Sequence, residues 1–163
     1  MEKLVLCACL VMALSCPTHA HEAEHHAHHS HEHAAQPVQQ EWGIAGMPEA
    51  VTRTIVLSMS DTMRFTPDTL TVRVGETVRF KVDNHGNTLH EFVLGTPDKL
   101  AEHADVMRHN PDMSHAEPHM AHVQPNTSND VVWLFNRVGT FGFACLIPGH
   151  YEAGMTGTIH VTH

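Results

Sequence analysis

The segment Phe141-Gly142-Phe143-Ala144-Cys145-Leu146-Ile147-Pro148-Gly149-His150-Tyr151-Glu152-Ala153-Gly154-Met155 brings a thiol, an imidazole and a thioether into one short stretch, spaced C-x4-H-x4-M. All three are donors for soft or borderline metal ions. They converge on one ion only if the chain doubles back, and Pro148-Gly149 and Gly154 supply the turn-forming residues. A fourth donor has to come from elsewhere, and Asn84-His85-Gly86-Asn87-Thr88-Leu89-His90-Glu91-Phe92 offers two imidazoles. His90 directly precedes the apolar run Phe92-Val93-Leu94, where a strand would hold it, whereas His85 lies in a Gly/Asn turn open to solvent. His90 is therefore the better candidate.

Two imidazoles and a thiolate in a trigonal arrangement, with a weak axial thioether, form the ligand set of a blue-copper site. Thiolate and thioether favour Cu(I), while imidazole also suits Cu(II). A rigid scaffold that fixes a compromise geometry lets the ion change oxidation state with little rearrangement.

Such a scaffold is visible in the patterning. Thr52 to Met59, Thr69 to Val74, Thr77 to Val82, Leu89 to Leu94, Val131 to Phe135, Gly139 to Cys145 and Thr156 to Val161 are rich in β-branched and aromatic residues. Between them stand Thr66-Pro67-Asp68, Gly75-Glu76, Asn84-His85-Gly86-Asn87 and Val138-Gly139, which punctuate strands. Short strands at this spacing predict an all-β fold, a Greek-key antiparallel β-sandwich. One segment departs from it: Thr96 as N-cap and Pro97 at the first helical position predict a short helix continuing through Lys99 to Arg108. Beyond it, residues 109–130 read as a long His/Met-rich loop, so that an insertion spans about 96–130.

On these residues the chain resembles the cupredoxins, the plastocyanin, azurin and rusticyanin family of small blue copper proteins. The resemblance covers roughly Ile55 to Val161 and rests on G-x-F-x-F-x-C-x4-H-x4-M together with the upstream N-x-x-x-x-x-H-E-F. It implies equatorial copper ligands at His90, Cys145 and His150 and an axial ligand at Met155. The spacing after the cysteine is closer to rusticyanin and auracyanin than to plastocyanin. The residue after the first histidine, often Asn or Ser in the family, is Glu91 here, so the hydrogen bonding that ties the two ligand loops is expected to differ. In its extra His- and Met-rich segments the chain resembles periplasmic copper-tolerance cupredoxins more than dedicated electron carriers.

Those segments hold further donors. Residues 21–33 contain seven histidines, His21, His25, His26, His28, His29, His31 and His33, in a stretch without hydrophobic period. This is a compositional signature of a disordered, metal-capable tail, assigned to residues 21–50. The insertion adds His103, Met107, His109, Met113, His115, His119, Met120 and His122, which are candidate accessory ligands or incidental residues of an exposed loop. Met59 and Met63 are expected to pack.

Residues 1–20 read as a secretory signal peptide, with Lys3, an apolar run from Leu4 to Leu14 and Thr18-His19-Ala20 as the cleavage site. That run is too short to span a membrane, which takes about twenty residues. Acylation at Cys16 is a lesser alternative. Cleavage after Ala20 leaves Cys145 as the one cysteine and places the folded domain, residues 51–163, in the periplasm.

Among 163 residues, 9 Lys and Arg against 18 Asp and Glu give a net charge of −9, without basic clusters, which argues against nucleic acid or an anionic membrane surface as partner. No Ser/His/Asp arrangement, phosphate loop or zinc-protease motif appears, and a lone blue site has no second centre for oxygen chemistry, so catalysis is not expected. The expected role is copper tolerance: a monomer that binds Cu+/Cu2+ at the blue site and at accessory His/Met sites, with a redox partner or copper exporter as candidate partners. A soluble electron carrier is the alternative, for which the surplus ligands would serve no purpose.

Overall fold

The computed structural model describes residues 37–111, 113 and 116–163. Among the described residues, ten strands form two five-stranded sheets packed face to face. In the first sheet the order is β1 (Ile44–Ala45), β8 (Ser128–Leu134), β5 (Thr77–Asn84), β2 (Arg53–Ser60) and β3 (Arg64–Thr66). In the second it is β4 (Thr69–Arg73), β10 (Thr156–Thr162), β9 (Gly139–Ala144), β6 (His90–Gly95) and β7 (Met120–Val123).

Period-two patterning builds these layers. Along β2, Ile55, Leu57 and Met59 are buried while Thr54 and Val56 face outward, and along β5 Val78, Phe80 and Val82 point into the same core. Phe80, Phe92, Phe135, Phe143 and Trp133 are all at most 1% exposed and fill the space between the sheets. Phe92 and Phe143 meet at a tilt of 38° with ring centroids 5.4 Å apart, and Phe65 stands edge-on to Phe143 at 5.0 Å. Phe92 lies on β6 and Phe143 on β9, so this aromatic packing supports the strand that carries His90 and the one that leads into Cys145.

The sheets are mixed rather than purely antiparallel. β2 runs parallel to β5 and β4 parallel to β10. Each pair contains strands that reach one another only by crossing between sheets, which Greek-key connectivity permits and local patterning does not reveal.

The helix α1 spans Pro97–His109, with Thr96 Oγ1 accepting from Lys99 N at 3.2 Å and Pro97 at its start. Leu100, Ala104 and Met107 pack with Val93, Met120, Ala144, Leu146 and Tyr151 in a second, smaller apolar cluster. Leu100 lies over Gly95 and Gly142; a Cβ on Gly142 would stand 2.9 Å from Leu100 Cδ1.

Two boundaries differ from the sequence reading. The stretch 109–130 is not loop throughout, because β7 pairs antiparallel with β6 from His90↔Val123 to Val93↔Met120. The folded part also starts before residue 51. β1 pairs with β8, a 3-10 turn covers Pro48–Ala50, and Trp42 is 7% exposed, stacked on Trp133 at 6.4 Å. Trp133 Nε1 donates to Trp42 O at 2.9 Å, which fixes this arm to the first sheet. The histidines of residues 21–33 lie outside the described residues.

Candidate metal centre

Three strand ends meet at one end of the second sheet, on its central strands β10, β9 and β6. Ala144, the last residue of β9, is paired with Val93 of β6 on one side and with Thr156 of β10 on the other. His90 opens β6, Cys145 follows β9 and Met155 precedes β10. The sheet register alone thus brings these positions together.

The loop from Cys145 to Met155 closes on itself. Cys145 N donates to Met155 O at 3.0 Å, Met155 N to His150 O at 3.0 Å, and His150 N to Ile147 O at 2.9 Å. Gly149 and Gly154 both adopt φ of +89°, a left-handed conformation that glycine takes without strain and other residues rarely do. Arg64 Nη1 donates to Ala153 O at 2.7 Å, and Glu152 Oε2 accepts from Gly149 N at 2.9 Å. These bonds turn His150 back toward Cys145.

The result is a compact donor cluster. One ligand atom each from His90, Cys145 and His150 lies within 4.8 Å of the others. His90 Nδ1 and His150 Nδ1 are 3.2 Å apart, and Cys145 Sγ stands 3.3 Å from His150 Nδ1. His90, Cys145 and Met155 are each 0% exposed, and His150 is half-buried. His85 is exposed and outside this group. Met155 shares the main apolar core with Cys145.

Burial shapes the chemistry of the donors. Desolvation pushes the Cys145 thiol up to about 12, against the opposing effect of the Glu91 and Ile147 amides that donate toward its sulfur. Burial, and then the charge of neighbouring His90, lowers the His150 pKa and so favours its neutral form. A neutral imidazole is the form that ligates metals. A thiol raised this far keeps its proton at neutral pH, and coordination to a cation would stabilise the thiolate and release that proton to solvent. The donor set of one thiol, two imidazoles and a buried thioether fits a copper ion that cycles between Cu(I) and Cu(II).

The tie between the two ligand segments runs through backbone. Glu91 N donates to Cys145 Sγ at 3.2 Å, so the side chain at position 91 is free for another task. The Glu91 carboxylate is 2% exposed, with Oε1 2.6 Å from His122 Nε2 and Oε2 buried without a hydrogen-bond partner. Asn84 braces the turn before His90, its amide donating to Thr88 O at 2.8 Å and Val123 O at 2.9 Å while Oδ1 accepts from Gly86 N at 2.8 Å.

Sequence reasoning missed Asp61. It lies in the turn between β2 and β3, with Oδ1 3.4 Å from His90 Nε2. Nothing in its neighbourhood, Ser60-Asp61-Thr62, distinguishes it from an ordinary turn aspartate, and its proximity to His90 exists only in the fold. The adjacent Met59 is 1% exposed in the core and Met63 packs against it, as expected.

The accessory candidates are dispersed. A cleft of about 300 Å³ beside the cluster is lined by Glu91, Met107, Met113, His122, Ile147 and His150, among others. Met113 and His122 are exposed there, whereas Met107 is 4% exposed and belongs to the apolar cluster. Met120 is not on a loop: it opens β7 and is 8% exposed in that same cluster, because alternation along the strand turns it inward. His119 stands edge-on to Trp42 at 5.3 Å and to Trp133 at 6.0 Å. His103 lines a separate cleft on α1, and His109 Nδ1 is 2.8 Å from Asp105 O. His115 lies outside the described residues.

The family model for copper binding proteins of the plastocyanin/azurin family matches residues 52–162. The chain belongs to this family. Two relatives, each described as a copper-resistant cuproprotein CopI, match most of its length. The one from Rubrivivax gelatinosus is 44% identical over 161 residues, covering 99% of this chain and 96% of its own. The one from Pseudomonas aeruginosa is 34% identical, covering 75% and 83%. Among solved structures, auracyanin B is similar in fold, with a TM-score of 0.63 and 24% identity over 74% of this chain and 96% of its own. As in other members of the plastocyanin/azurin family the cofactor is copper, and the cluster of His90, Cys145 and His150 could hold a metal ion.

Proposed function

We propose that the protein acts in copper resistance in the periplasm, holding copper at His90, Cys145 and His150 with Met155 as axial ligand. The observation that carries this reading is the 44% identity, along 99% of the chain, to a copper-resistant cuproprotein. It is supported by the buried thiol and facing imidazoles. Phe92, Phe143 and the partly buried Ile147 form an apolar shell that limits solvent access and unwanted redox chemistry at the ion.

Residues 1–20 act as the export signal in this reading and are removed. The histidines of residues 21–33, with Met113, His115 and His122 in the insertion, are accessory donors for further copper. His109, His119 and Met120 are weaker candidates, given the placements above. Binding, rather than turnover of a substrate, is the activity.

A soluble electron-transfer role is the second reading. It is favoured by one feature, the half-buried His150 at the rim of an otherwise buried cluster, which offers electrons a route to the surface.

Disruption of the gene tests the first reading. Copper tolerance of the host should fall, return with the wild-type chain, and fail to return with Cys145→Ser. Tolerance unchanged by disruption would contradict it.

A further inference from the structure

The ring of His90 is addressed from both sides. Its Nδ1 faces His150 at 3.2 Å, while its Nε2 faces Asp61 Oδ1 and Thr88 Oγ1, each at 3.4 Å. Asp61 is held there firmly for a turn residue. Oδ2 accepts from Asn87 N at 2.8 Å and Asn87 Nδ2 at 3.2 Å, and Oδ1 accepts from Thr88 N at 3.2 Å and Thr88 Oγ1 at 2.8 Å. Position 86 has to be glycine for this approach, since a Cβ there would stand 2.2 Å from Asp61 Oδ1.

The arrangement serves more than loop closure. Four donors hold the Asp61 carboxyl far below the usual carboxylate range, so it is charged at any pH at which the protein functions. The ring itself is 0% exposed, whereas the Asp61 side chain is 37% exposed, so the carboxylate acts on the buried ring from the solvent side, with its charge partly screened. A carboxylate at the far nitrogen of a metal-bound imidazole fixes the ring and raises its basicity.

We propose that Asp61 is a positioning residue that orients His90 and, through it, lowers the reduction potential of the copper centre. This inference rests on the reading of His90 as a copper ligand. A fixed negative charge behind the ligand stabilises Cu(II) more than Cu(I), so the reduced state becomes harder to reach. The device is independent of Met155, which lies on a different segment just before β10, and of Glu91, whose carboxylate is paired with His122.

The test compares copper-loaded wild-type protein with three variants at this position, reading absorption and reduction potential by spectroelectrochemical titration. Asp61→Asn and Asp61→Ser retain an oxygen acceptor for Asn87 and Thr88 but lose the charge. Both should keep the thiolate-to-copper band and shift the Cu(I)/Cu(II) equilibrium about tenfold toward Cu(I), an upward shift of about 59 mV for one electron. Asp61→Glu should return the potential most of the way to wild type. Asp130→Asn, which removes the same charge from a surface pair with Arg79, should leave it unmoved. If either neutral variant folds, keeps its band and matches Asp130→Asn in potential, the proposal is overturned. Absence of the band in wild-type protein would instead remove the ligand reading on which the proposal stands.

Discussion

Cys145 and Met155 are joined backbone to backbone, the amide of Cys145 donating to the carbonyl of Met155 at 3.0 Å. The loop between them is therefore closed at its base by the same sheet that aligns β9 with β10, and His150 is presented from a ring of fixed circumference. The centre is preorganised by main-chain hydrogen bonds, and substitutions of its side chains should alter the metal chemistry without unfolding the sandwich.

Cys145→Ser is the sharpest case. The hydroxyl is close in size to the thiol and is a poor ligand for copper at neutral pH. The intense thiolate-to-copper absorption should vanish while far-ultraviolet circular dichroism stays as in wild type. Persistence of the band in the variant would show that sulfur from elsewhere binds the ion.

Met155→Leu should separate the axial role from packing. The two side chains are similar in volume, and such swaps in a core usually cost less than about 1.5 kcal/mol. The visible band should survive and the reduction potential should rise, because an axial thioether is replaced by hydrocarbon. An unchanged potential and spectrum would reduce Met155 to a core residue, consistent with its place among the buried apolar side chains.

The metal-free protein should lose stability at alkaline pH through Cys145. An ordinary thiol titrates near 9.0 and the buried one near 12, so the folded state holds its proton more tightly than the unfolded chain does. That advantage is complete below pH 9 and declines as the pH climbs toward 12. Urea unfolding of wild type and Cys145→Ala at pH 8 and pH 11 measures it. The stability of wild type relative to the variant should fall between the two conditions, and a difference independent of pH would contradict the burial argument.

Much of the scaffold was legible in the sequence because strands with one buried face must alternate. Ile55, Leu57 and Met59 announce β2 by their spacing, and Val78, Phe80 and Val82 announce β5. Thr96-Pro97 likewise announces α1, since an N-cap hydroxyl followed by proline has a local cause. The nearness of Cys145 and His150 was legible for a similar reason: both stand on one short loop, which Met155 ends. What escaped is non-local. β7 is short and sits among prolines and histidines, and becomes a strand only because β6 offers it an edge. Trp42 lies in a polar stretch and is ordered by Trp133, which is distant in sequence. Asp61, in the β2/β3 turn of the first sheet, meets His90 on β6 of the second only where the two sheets pack together, and the parallel pairs β2/β5 and β4/β10 arise from crossovers that leave no local trace.

The helix should contribute stability without setting the colour of the centre. Leu100 is 5% exposed and seated on Gly95 and Gly142, so Leu100→Ala should cost about 2 to 5 kcal/mol in urea unfolding. The absorption of the copper-loaded variant should match wild type. A displaced band would show that α1 strains the ligand loop, which it touches through Leu146 and Tyr151.

The central claim is one buried copper centre within a protein that binds copper in excess of it. A copper titration of residues 21–163, reading visible absorption and total bound metal together, tests this most directly. The account predicts a thiolate-to-copper band that saturates at about one equivalent, followed by further copper bound with little added colour. Deletion of residues 21–33 should lower the total and leave the band intact. Saturation of both readings at one equivalent would contradict the resistance reading in favour of electron transfer, and absence of any band would contradict the centre itself.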